Sequence, residues 1–351
     1  MNRSDYKRIL LRGVNWLGDA VMLTPAVCAL RGRFPDAHIS ILCKRAFADV
    51  YRHSPHINEI IEYDSDRGVQ NILALAGRIR RGDYDLAIVF PRSYRALLPV
   101  ALGGVPERIG YAAKGRRLFL TKSLPRSNDV LTIHRVRYYA KLLEPLGIEE
   151  IPESTEIHID EESKKWAGEF LQTHRTCPGR KLVGMLCGAT YGPAKQWFPE
   201  RFAELARRLT EDGAAEILIV GGPAEVELAG RVEREAGVPL VNSAGKTTVL
   251  QLAALIKRCD LFISNDTGPM HVADAVGVPI AAIFGPTDPV TTSPYGKSHR
   301  IITVNADCSP CLLRACPTDH RCMTGIAVDD VEKIAREFLS TGKFAEEAGV
   351  K

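Results

Sequence analysis

The sequence lacks the long apolar runs of a membrane protein. No stretch approaches the ~18 consecutive apolar residues that a spanning helix requires. The first residues, MNRSDYKRILL, contain no long apolar core of a signal peptide. We therefore expect a cytoplasmic protein, in which the nine cysteines are mostly reduced thiols or metal ligands rather than disulfides.

An excess of charge of one sign is also missing. The chain has 46 basic and 42 acidic residues, a formal net charge of +4, which is too small to imply a nucleic-acid partner. The P-loop spacing, the G-x-G-x-x-G spacing and any fixed-period repeat are absent as well. With 351 residues and 45% hydrophobic residues, the chain can form two globular domains with their own cores.

Short apolar runs alternate with amphipathic segments, which predicts parallel sheets with helices on both faces. The predicted strands are Arg8–Leu11, Ile39–Leu42, Ile57–Tyr63, Leu86–Phe90, Leu182–Leu186, Ile217–Val220, Leu240–Val241, Leu261–Ile263, Ile280–Phe284 and Ile301–Val304.

The alternation stops near Leu146 and restarts at Lys181, with an acidic, proline-containing stretch and one helix between. We predict two doubly wound α/β domains, residues 1–175 and 176–351. A last helix near residues 328–340 is expected to pack back on the first domain.

The stretch from Ser264 to Pro289 organises the second half. Two apolar strands end in SNDTG and GPTDP, and the carboxyl ends of parallel strands are where open α/β sheets bind ligands. Asp266 and Thr267 lie at the cap of the intervening helix, whose N–H groups suit a phosphate. His271 lies one turn inside.

Two other turns in the second half follow strands. The turn from Gly188 to Trp197 combines glycines, hydroxyls and one lysine, which suits a diphosphate, although a plain loop with a surface lysine would look the same. The turn Gly221–Glu225 places a carboxylate where it could bind a ribose or a base, or could simply be a solvated first-turn glutamate.

In the first half, Arg12–Asp19 follows the first strand and precedes a helix from Ala20 to Arg31. Asp19 would lie at the helix N-terminus, where a capping aspartate is the plain alternative to a functional one. Residues 92–126 form a basic tract with one acid, Glu107, which implies an anionic partner or a solvated loop. Its eight basic residues are Arg92, Arg95, Arg108, Lys114, Arg116, Arg117, Lys122 and Arg126.

Four cysteines lie close together near the end of the chain, at Cys308, Cys311, Cys316 and Cys322. Such a set could hold a structural zinc ion. The spacing differs from a double C-x2-C pattern, so separate thiols are favoured and no metal is expected.

With these residues in view, the chain resembles the ADP-heptose:lipopolysaccharide heptosyltransferases of glycosyltransferase family 9, most closely their heptosyltransferase II branch. The resemblance covers nearly the whole chain, and SNDTGPMHVA and GPTDP are its most specific segments. It implies a GT-B fold, with two Rossmann-like domains facing a cleft. It also implies inverting, metal-independent transfer of heptose from ADP-heptose to the lipopolysaccharide inner core, a Kdo-lipid A that already bears heptose.

Residue roles follow from the resemblance. Asp19 is expected to be the general base, and Lys195 is expected to bind the diphosphate. The remaining donor contacts are expected at Thr190, Tyr191, Gly192, Glu225, Asp266, Thr267, Gly268 and His271. Acceptor contacts are expected at Asn15, Trp16, Arg92, Arg95 and Arg116. Where the family often has proline, this chain has Cys187.

Other functions remain open. One is a heptosyltransferase I, or another GT-B transferase with a different acceptor or nucleotide-sugar donor. Another is a non-catalytic protein that binds nucleotides or anionic glycans. A nucleic-acid module built on the cysteines is disfavoured, because the clustered basic charge lies far from them in sequence. Peripheral contact with the inner face of the inner membrane is a further expectation.

Overall fold

The computed structural model describes residues 6–113 and 115–345. Its contacts divide the chain into two compact units, Met1–His158 and Ile159–Lys351. The division lies earlier in the chain than the predicted boundary at residue 175. The reason is the helix Glu161–His174, which packs against the helix Val249–Ile256 of the second unit.

The first unit is a six-stranded parallel sheet with helices between the strands. Its strands are β1 (Arg8–Arg12), β2 (His38–Lys44), β3 (Glu59–Tyr63), β4 (Leu86–Val89), β5 (Glu107–Tyr111) and β6 (Lys122–Leu124). Its helices are α1 (Leu17–Met22), α2 (Thr24–Arg33), α3 (Val69–Arg81), α4 (Tyr94–Leu102), α5 (Asn128–Leu131) and α6 (Arg135–Ala140). Shorter 3₁₀ turns cover Arg45–Val50, Arg116–Phe119 and Lys141–Leu146.

The strand order of the first sheet is β3-β2-β1-β4-β5-β6, and every pair is parallel. β1 is paired on both sides, with Leu11 opposite Ile41 and Ile88. Because β1 and β4 are covered on both faces, they are almost continuously apolar and buried. Successive strands are added on one side of β1 up to β3 and on the other side from β4 onwards. The switch point of the sheet therefore lies between β1 and β4, where sheets of this kind bind ligands.

The second unit repeats this architecture. Its strands are β7 (Lys181–Leu186), β8 (Ala215–Ile219), β9 (Val241–Asn242), β10 (Leu261–Asn265), β11 (Ile280–Ile283) and β12 (His299–Ile302). Its helices are α7 (Glu161–His174), α8 (Pro199–Glu211), α9 (Val226–Ala236), α10 (Val249–Ile256), α11 (Gly268–Ala275), α12 (Pro289–Thr292), α13 (Arg321–Thr324) and α14 (Val328–Thr341). Two 3₁₀ turns, Pro193–Lys195 and Pro223–Glu225, follow β7 and β8.

The second sheet has the order β12-β11-β10-β7-β8-β9, again all parallel, and its switch point lies between β7 and β10. Counted from its own first strand, this is the same order as in the first unit. The predicted fold class, two doubly wound parallel α/β sheets, is therefore confirmed for each unit.

The second core forms as the helical periodicity predicts. Phe202, Leu205 and Leu209 of α8 are fully buried in the apolar cluster beside the sheet. The last helix, α14, packs on α8, β10 and β11 of the second unit, and its residues Val331 and Ala335 are buried in the apolar cluster there. None of the helices in the described part of the chain combines the length and apolarity needed to cross a bilayer.

Two strands escaped prediction, β5 and β6, and both lie inside the basic tract. They form one flank of the first sheet, where polar side chains such as Glu107 and Lys122 can pair with each other at the surface. The predicted helix from Ala20 to Arg31 is two helices, α1 and α2. They break at Leu23, and Pro25 lies in the first turn of the second, where its missing N–H leaves no helical hydrogen bond unmade.

Candidate active site

In the first unit, the loop after β1 is held in place by a buried arginine. The Arg12 guanidinium stacks on the Tyr63 ring at 4.7 Å, donates to its hydroxyl at 2.5 Å and pairs with Asp66 at 3.1 Å. It also donates to the Gly13 carbonyl at 2.7 Å. Tyr63 in turn donates to Asn15 Oδ1 at 3.0 Å, so the loop that carries Asn15 has one defined path. A buried hydrogen-bond network of this kind restricts the conformation of a loop.

Asp19 lies in the first turn of α1 and accepts a hydrogen bond from Tyr139 Oη at 2.7 Å. Tyr139 belongs to α6 and is buried, with its ring edge-on to Phe90 and Tyr138. Burial, and after it the negative charge of Asp19, raises the pKa of Tyr139 well above its ordinary value. The phenol therefore keeps its proton and stays a donor to the carboxylate. Asp19 is thus an oriented base candidate in the first turn of α1.

Four arginines act electrostatically on the phenol of Tyr138. Burial raises the pKa of Tyr138, and the positive charges of these arginines oppose that rise. The four are Arg92, Arg116, Arg126 and Arg135. Tyr138 stacks on Tyr111, with ring centroids 4.4 Å apart, and its hydroxyl has no hydrogen-bond partner among the described residues. This part of the first unit is an anion-attracting region beside α6.

Arg116 differs from a solvated residue of a basic loop. Its side chain is fully buried and donates to the Pro91 carbonyl at 2.9 Å, while Nε and Nη2 find no partner among the described residues. Burial lowers its pKa. Unmatched buried guanidinium donors are costly, so their presence indicates a place where an anion can bind.

Other residues of the basic tract serve the fold. Arg108 donates to the backbone carbonyls of Phe119 and Val105, and Lys122 pairs with Glu107. The tract is therefore neither one solvated loop nor one binding surface. Of the expected acceptor contacts, Arg92 and Arg95 are exposed and Trp16 is 45% exposed. Lys114 lies outside the described residues.

In the second unit, Lys195 and Asp266 form a short ion pair at the switch point. Lys195 Nζ lies 2.5 Å from Asp266 Oδ2, with side-chain exposures of 12% and 4%. Thr287, from the loop after β11, donates to the same carboxylate oxygen at 2.6 Å. Three strand-end loops thus meet at Asp266. The pair joins two residues that had been predicted as donor contacts from separate motifs.

The beginning of α11 is close to this pair. Thr267 is the N-cap residue, yet its side chain makes no capping hydrogen bond, and Gly268 starts the helix. The helix N-terminus is therefore not capped by its own side chain, which suits an anionic ligand. His271 is buried one turn further along.

The loop after β7 is positioned by Asn265, the last residue of β10. Its side-chain amide donates to the carbonyls of Cys187 and Gly188 at 3.0 and 3.2 Å and accepts from Trp197 N at 2.9 Å. Both ends of the loop that carries Lys195 are thereby tied to β10. Asn265 is fully buried, so these bonds are not exchanged with water.

The middle of the same loop contains Thr190, Tyr191 and Gly192. Tyr191 donates to the Leu312 carbonyl at 3.0 Å, and its ring lies 5.1 Å from Lys195 Nζ. A Cβ at Gly192 would lie 2.4 Å from the Arg314 carbonyl oxygen, so this close approach requires glycine. Thr190 is exposed.

Glu225 lies against the start of that loop. Its carboxylate accepts from Gly222 N at 2.7 Å, and a Cβ on Gly188 would fall 2.0 Å from Oε1. Burial raises the pKa of Glu225, and the Gly222 hydrogen bond opposes the rise only in part. Glu225 is half-buried, unlike a fully solvated first-turn glutamate. Glu225 therefore lies beside the loop of Lys195, as its predicted donor role requires.

The four clustered cysteines are free thiols that differ in exposure. Cys308 is exposed, whereas Cys322 is buried in the apolar cluster beneath α14. Across residues 6–113 and 115–345, no group of three or more histidine, cysteine, aspartate or glutamate side chains is arranged to hold a metal ion.

Several residues of these sites were not predicted. Asn265 and Thr287 lie within SNDTG and GPTDP, so their motifs carried a signal, although their side-chain partners did not follow from it. Tyr139 carries no motif. Its proximity to Asp19 depends on how α6 packs in the first unit, across 120 residues of sequence.

Each unit is thus Rossmann-like, with a carboxylate base candidate in one and a lysine–aspartate pair at an uncapped helix N-terminus in the other. Two Rossmann-like units of this kind are typical of glycosyltransferases of the GT-B class. The model of glycosyltransferase family 9 (heptosyltransferase) matches residues 72–321. The chain belongs to this family and is a glycosyltransferase, which confirms the resemblance found from the motifs.

The similarity to known proteins covers nearly the full length of the chain. The chain is 28% identical to lipooligosaccharide heptosyltransferase 2 of Campylobacter jejuni serotype O:6 over 338 residues, covering 93% of this chain and 99% of that protein. The structure of a glycosyl transferase family 9 protein from Veillonella parvula matches with a TM-score of 0.84 and 28% identity, over 96% and 98% of the two chains. Escherichia coli ADP-heptose LPS heptosyltransferase II matches with a TM-score of 0.80 and 24% identity, over 95% and 99%.

Proposed function

We propose that this enzyme transfers L-glycero-D-manno-heptose from ADP-heptose to the heptose of the lipopolysaccharide inner core. The observation that carries the proposal is the Lys195–Asp266 pair at the switch point of the second sheet, in a chain whose full-length relatives include heptosyltransferases 2. The pair lies where Rossmann-like sheets bind nucleotides, beside a helix N-terminus suited to phosphate.

The second unit would bind the donor. Lys195 and the N-terminal amides of α11 near Gly268 would contact the diphosphate, with Thr190, Tyr191 and Gly192 forming the loop around it. Glu225, held against Gly188, would contact the nucleoside, and His271 would support the pocket from within α11. In this arrangement protein groups stabilise the negative charge that develops on ADP, so no metal cofactor takes part.

Asp19 would act as the general base. The acceptor hydroxyl gives its proton to the Asp19 carboxylate while its oxygen forms the new bond to the anomeric carbon of the heptose. The bond from that carbon to the phosphate oxygen breaks, and ADP leaves with the electron pair. Attack on the face opposite the leaving group inverts the anomeric centre.

The first unit would bind the acceptor through its anion-attracting region. Arg116 has buried donors without partners, and Arg92 and Arg95 are exposed nearby in sequence, so together they suit the carboxylates and phosphates of a Kdo-lipid A. Asn15 and Trp16 would contact the acceptor sugar beside Asp19. Leu118, which is 88% exposed and next to Arg117, would bring this unit into peripheral contact with an anionic membrane.

The test is a transfer assay with purified enzyme, ADP-heptose and either Kdo₂-lipid A or its mono-heptosylated form, presented in phospholipid vesicles. We expect the mono-heptosylated acceptor to be consumed and ADP to be released in equal amount. Consumption of Kdo₂-lipid A instead would assign the enzyme to the heptosyltransferase I reaction. Inhibition by UDP but not ADP would indicate a different nucleotide-sugar donor.

The variant Asp19→Asn separates an enzyme from a binding protein. It keeps the side-chain size and a hydrogen-bond acceptor for Tyr139 but removes the base, so turnover should fall roughly 10²- to 10⁴-fold while ADP affinity stays unchanged. A variant with normal turnover would remove Asp19 from the mechanism. If the native protein binds ADP-heptose but yields no product with either acceptor, the non-catalytic alternative holds.

A further inference from the structure

The charge balance around Lys195 is incomplete for a diphosphate ligand. The lysine is already paired at 2.5 Å with the buried carboxylate of Asp266, so the pair carries no net charge. A nucleoside diphosphate bears more than one negative charge, and burying such a charge without compensation is costly. The donor site of the proposed function therefore requires positive charge in addition to Lys195.

A second cation is anchored at the same loop. The segment of residues 303–320, called here the cysteine-rich segment, is hydrogen-bonded to the 3₁₀ turn of Lys195. Ala194 N donates to the Arg314 carbonyl at 3.0 Å, and the Ala194 carbonyl lies 2.6 Å from His320 Nε2. Tyr191 Oη donates to the Leu312 carbonyl, as described above. The backbone of Arg314 is thus fixed one residue away from Lys195.

The side chain of Arg314 lies near the same tyrosine ring as Lys195. Its guanidinium carbon lies 5.0 Å from the centre of the Tyr191 ring, and Lys195 Nζ lies 5.1 Å from that ring centre. Within the described part of the chain, no carboxylate pairs with Arg314, whereas Arg321 a few residues later pairs with Asp319 at 3.1 Å. An exposed, stacked arginine with an unneutralised charge is suited to bidentate contact with phosphate.

We propose that Arg314 is a second diphosphate-binding residue, which the cysteine-rich segment holds beside Lys195. This inference rests on the proposed function, because it takes the ligand to be the diphosphate of a nucleotide sugar. It also gives the cysteine-rich segment a role that does not involve metal: the segment is the support from which Arg314 reaches the donor loop, and Gly192 permits its close approach.

The test measures binding by calorimetry rather than turnover, with ADP, UDP and adenosine as probes. The variants are Arg314→Gln, Arg314→Lys and, as a matched control in the same part of the chain, Arg321→Gln. We expect Arg314→Gln to weaken ADP binding roughly 10- to 100-fold and to leave adenosine binding unchanged. Arg314→Lys should lie between it and the native protein, and Arg321→Gln should bind ADP normally.

The salt dependence gives an independent readout. Loss of a phosphate-directed charge should make ADP binding less sensitive to ionic strength in Arg314→Gln than in the native protein. Native affinity of Arg314→Gln for ADP would overturn the inference, as would an equal loss of ADP and adenosine binding, which would mean that the loop had collapsed. If the native protein binds UDP instead of ADP, the proposed donor is wrong, and the comparison of variants with UDP still decides the role of Arg314.

Discussion

Replacing Tyr139 by phenylalanine removes one hydroxyl and one hydrogen bond, the 2.7 Å contact with Asp19. Hydrogen bonds to charged groups contribute about 1.5–3 kcal/mol, and one pKa unit corresponds to about 1.36 kcal/mol. The bond stabilises the ionised form of Asp19. Its loss should therefore disfavour the ionised base by about 1.5–3 kcal/mol, which corresponds to about one to two pH units in an activity profile.

The expected result is a shift in the pH profile of kcat/KM. Because the base must be ionised to accept a proton, the acidic limb of the Tyr139→Phe profile should move to higher pH by the same one to two units. On the plateau at higher pH, Asp19 is ionised in both proteins, and only the loss of orientation remains. The KM for ADP-heptose should not change. The assay is the initial rate of ADP release between pH 5 and 9.

A matched control is Tyr51→Phe. Tyr51 is also fully buried, and its hydroxyl donates at 2.9 Å to the carbonyl of Ala20, the residue next to Asp19, rather than to the carboxylate. This variant should lose comparable thermal stability without any movement of the acidic limb. If both variants lose stability alike and the limb of Tyr139→Phe coincides with that of the native enzyme, Tyr139 only supports the fold and the reasoning fails.

Two further predictions concern the second unit. Lys195→Met should weaken ADP binding and should lower the melting temperature, because it leaves the buried carboxylate of Asp266 without its cation. Unchanged ADP affinity would contradict the diphosphate role. Because burial raises the pKa of Glu225, the folded protein holds a proton that the unfolded chain releases, so this residue reduces stability as the pH rises above the ordinary glutamate pKa. Glu225→Gln removes that effect. The melting temperature of this variant should exceed that of the native protein by more at pH 8 than at pH 5, and adenosine binding should weaken. An equal melting-temperature difference at both pH values would argue against a raised pKa of Glu225.

The sequence allowed the second unit to be predicted better than the first, for a physical reason. Its apolar strands and helix-capping residues, such as the Thr248–Gln251 capping box, are local signals, and the structure confirms them. β5 and β6 are short and partly polar, and their charges obscured the strand pattern.

The side-chain partners of the sites could not be predicted in the same way. The motifs indicated Asp19 and Lys195 but not what holds them, because Tyr139 and Asp266 come from elements distant in sequence. The burial of Arg116 depends on tertiary packing, which overrides the tendency of a charged tract to be solvated. Local patterns therefore located the strand-end loops. Which charged side chains are left unpaired, and can bind a ligand, depends on long-range packing.

The position of Asn265 has a consequence for attempts to change donor preference by exchanging loops. Its side-chain amide is hydrogen-bonded to both ends of the segment 187–197. It donates at the first end and accepts at the second. A segment transplanted from a relative will adopt its original conformation only if the last residue of β10 is asparagine. Aspartate there would set a carboxylate against two carbonyl oxygens, so this strand residue and the neighbouring loop must be exchanged together.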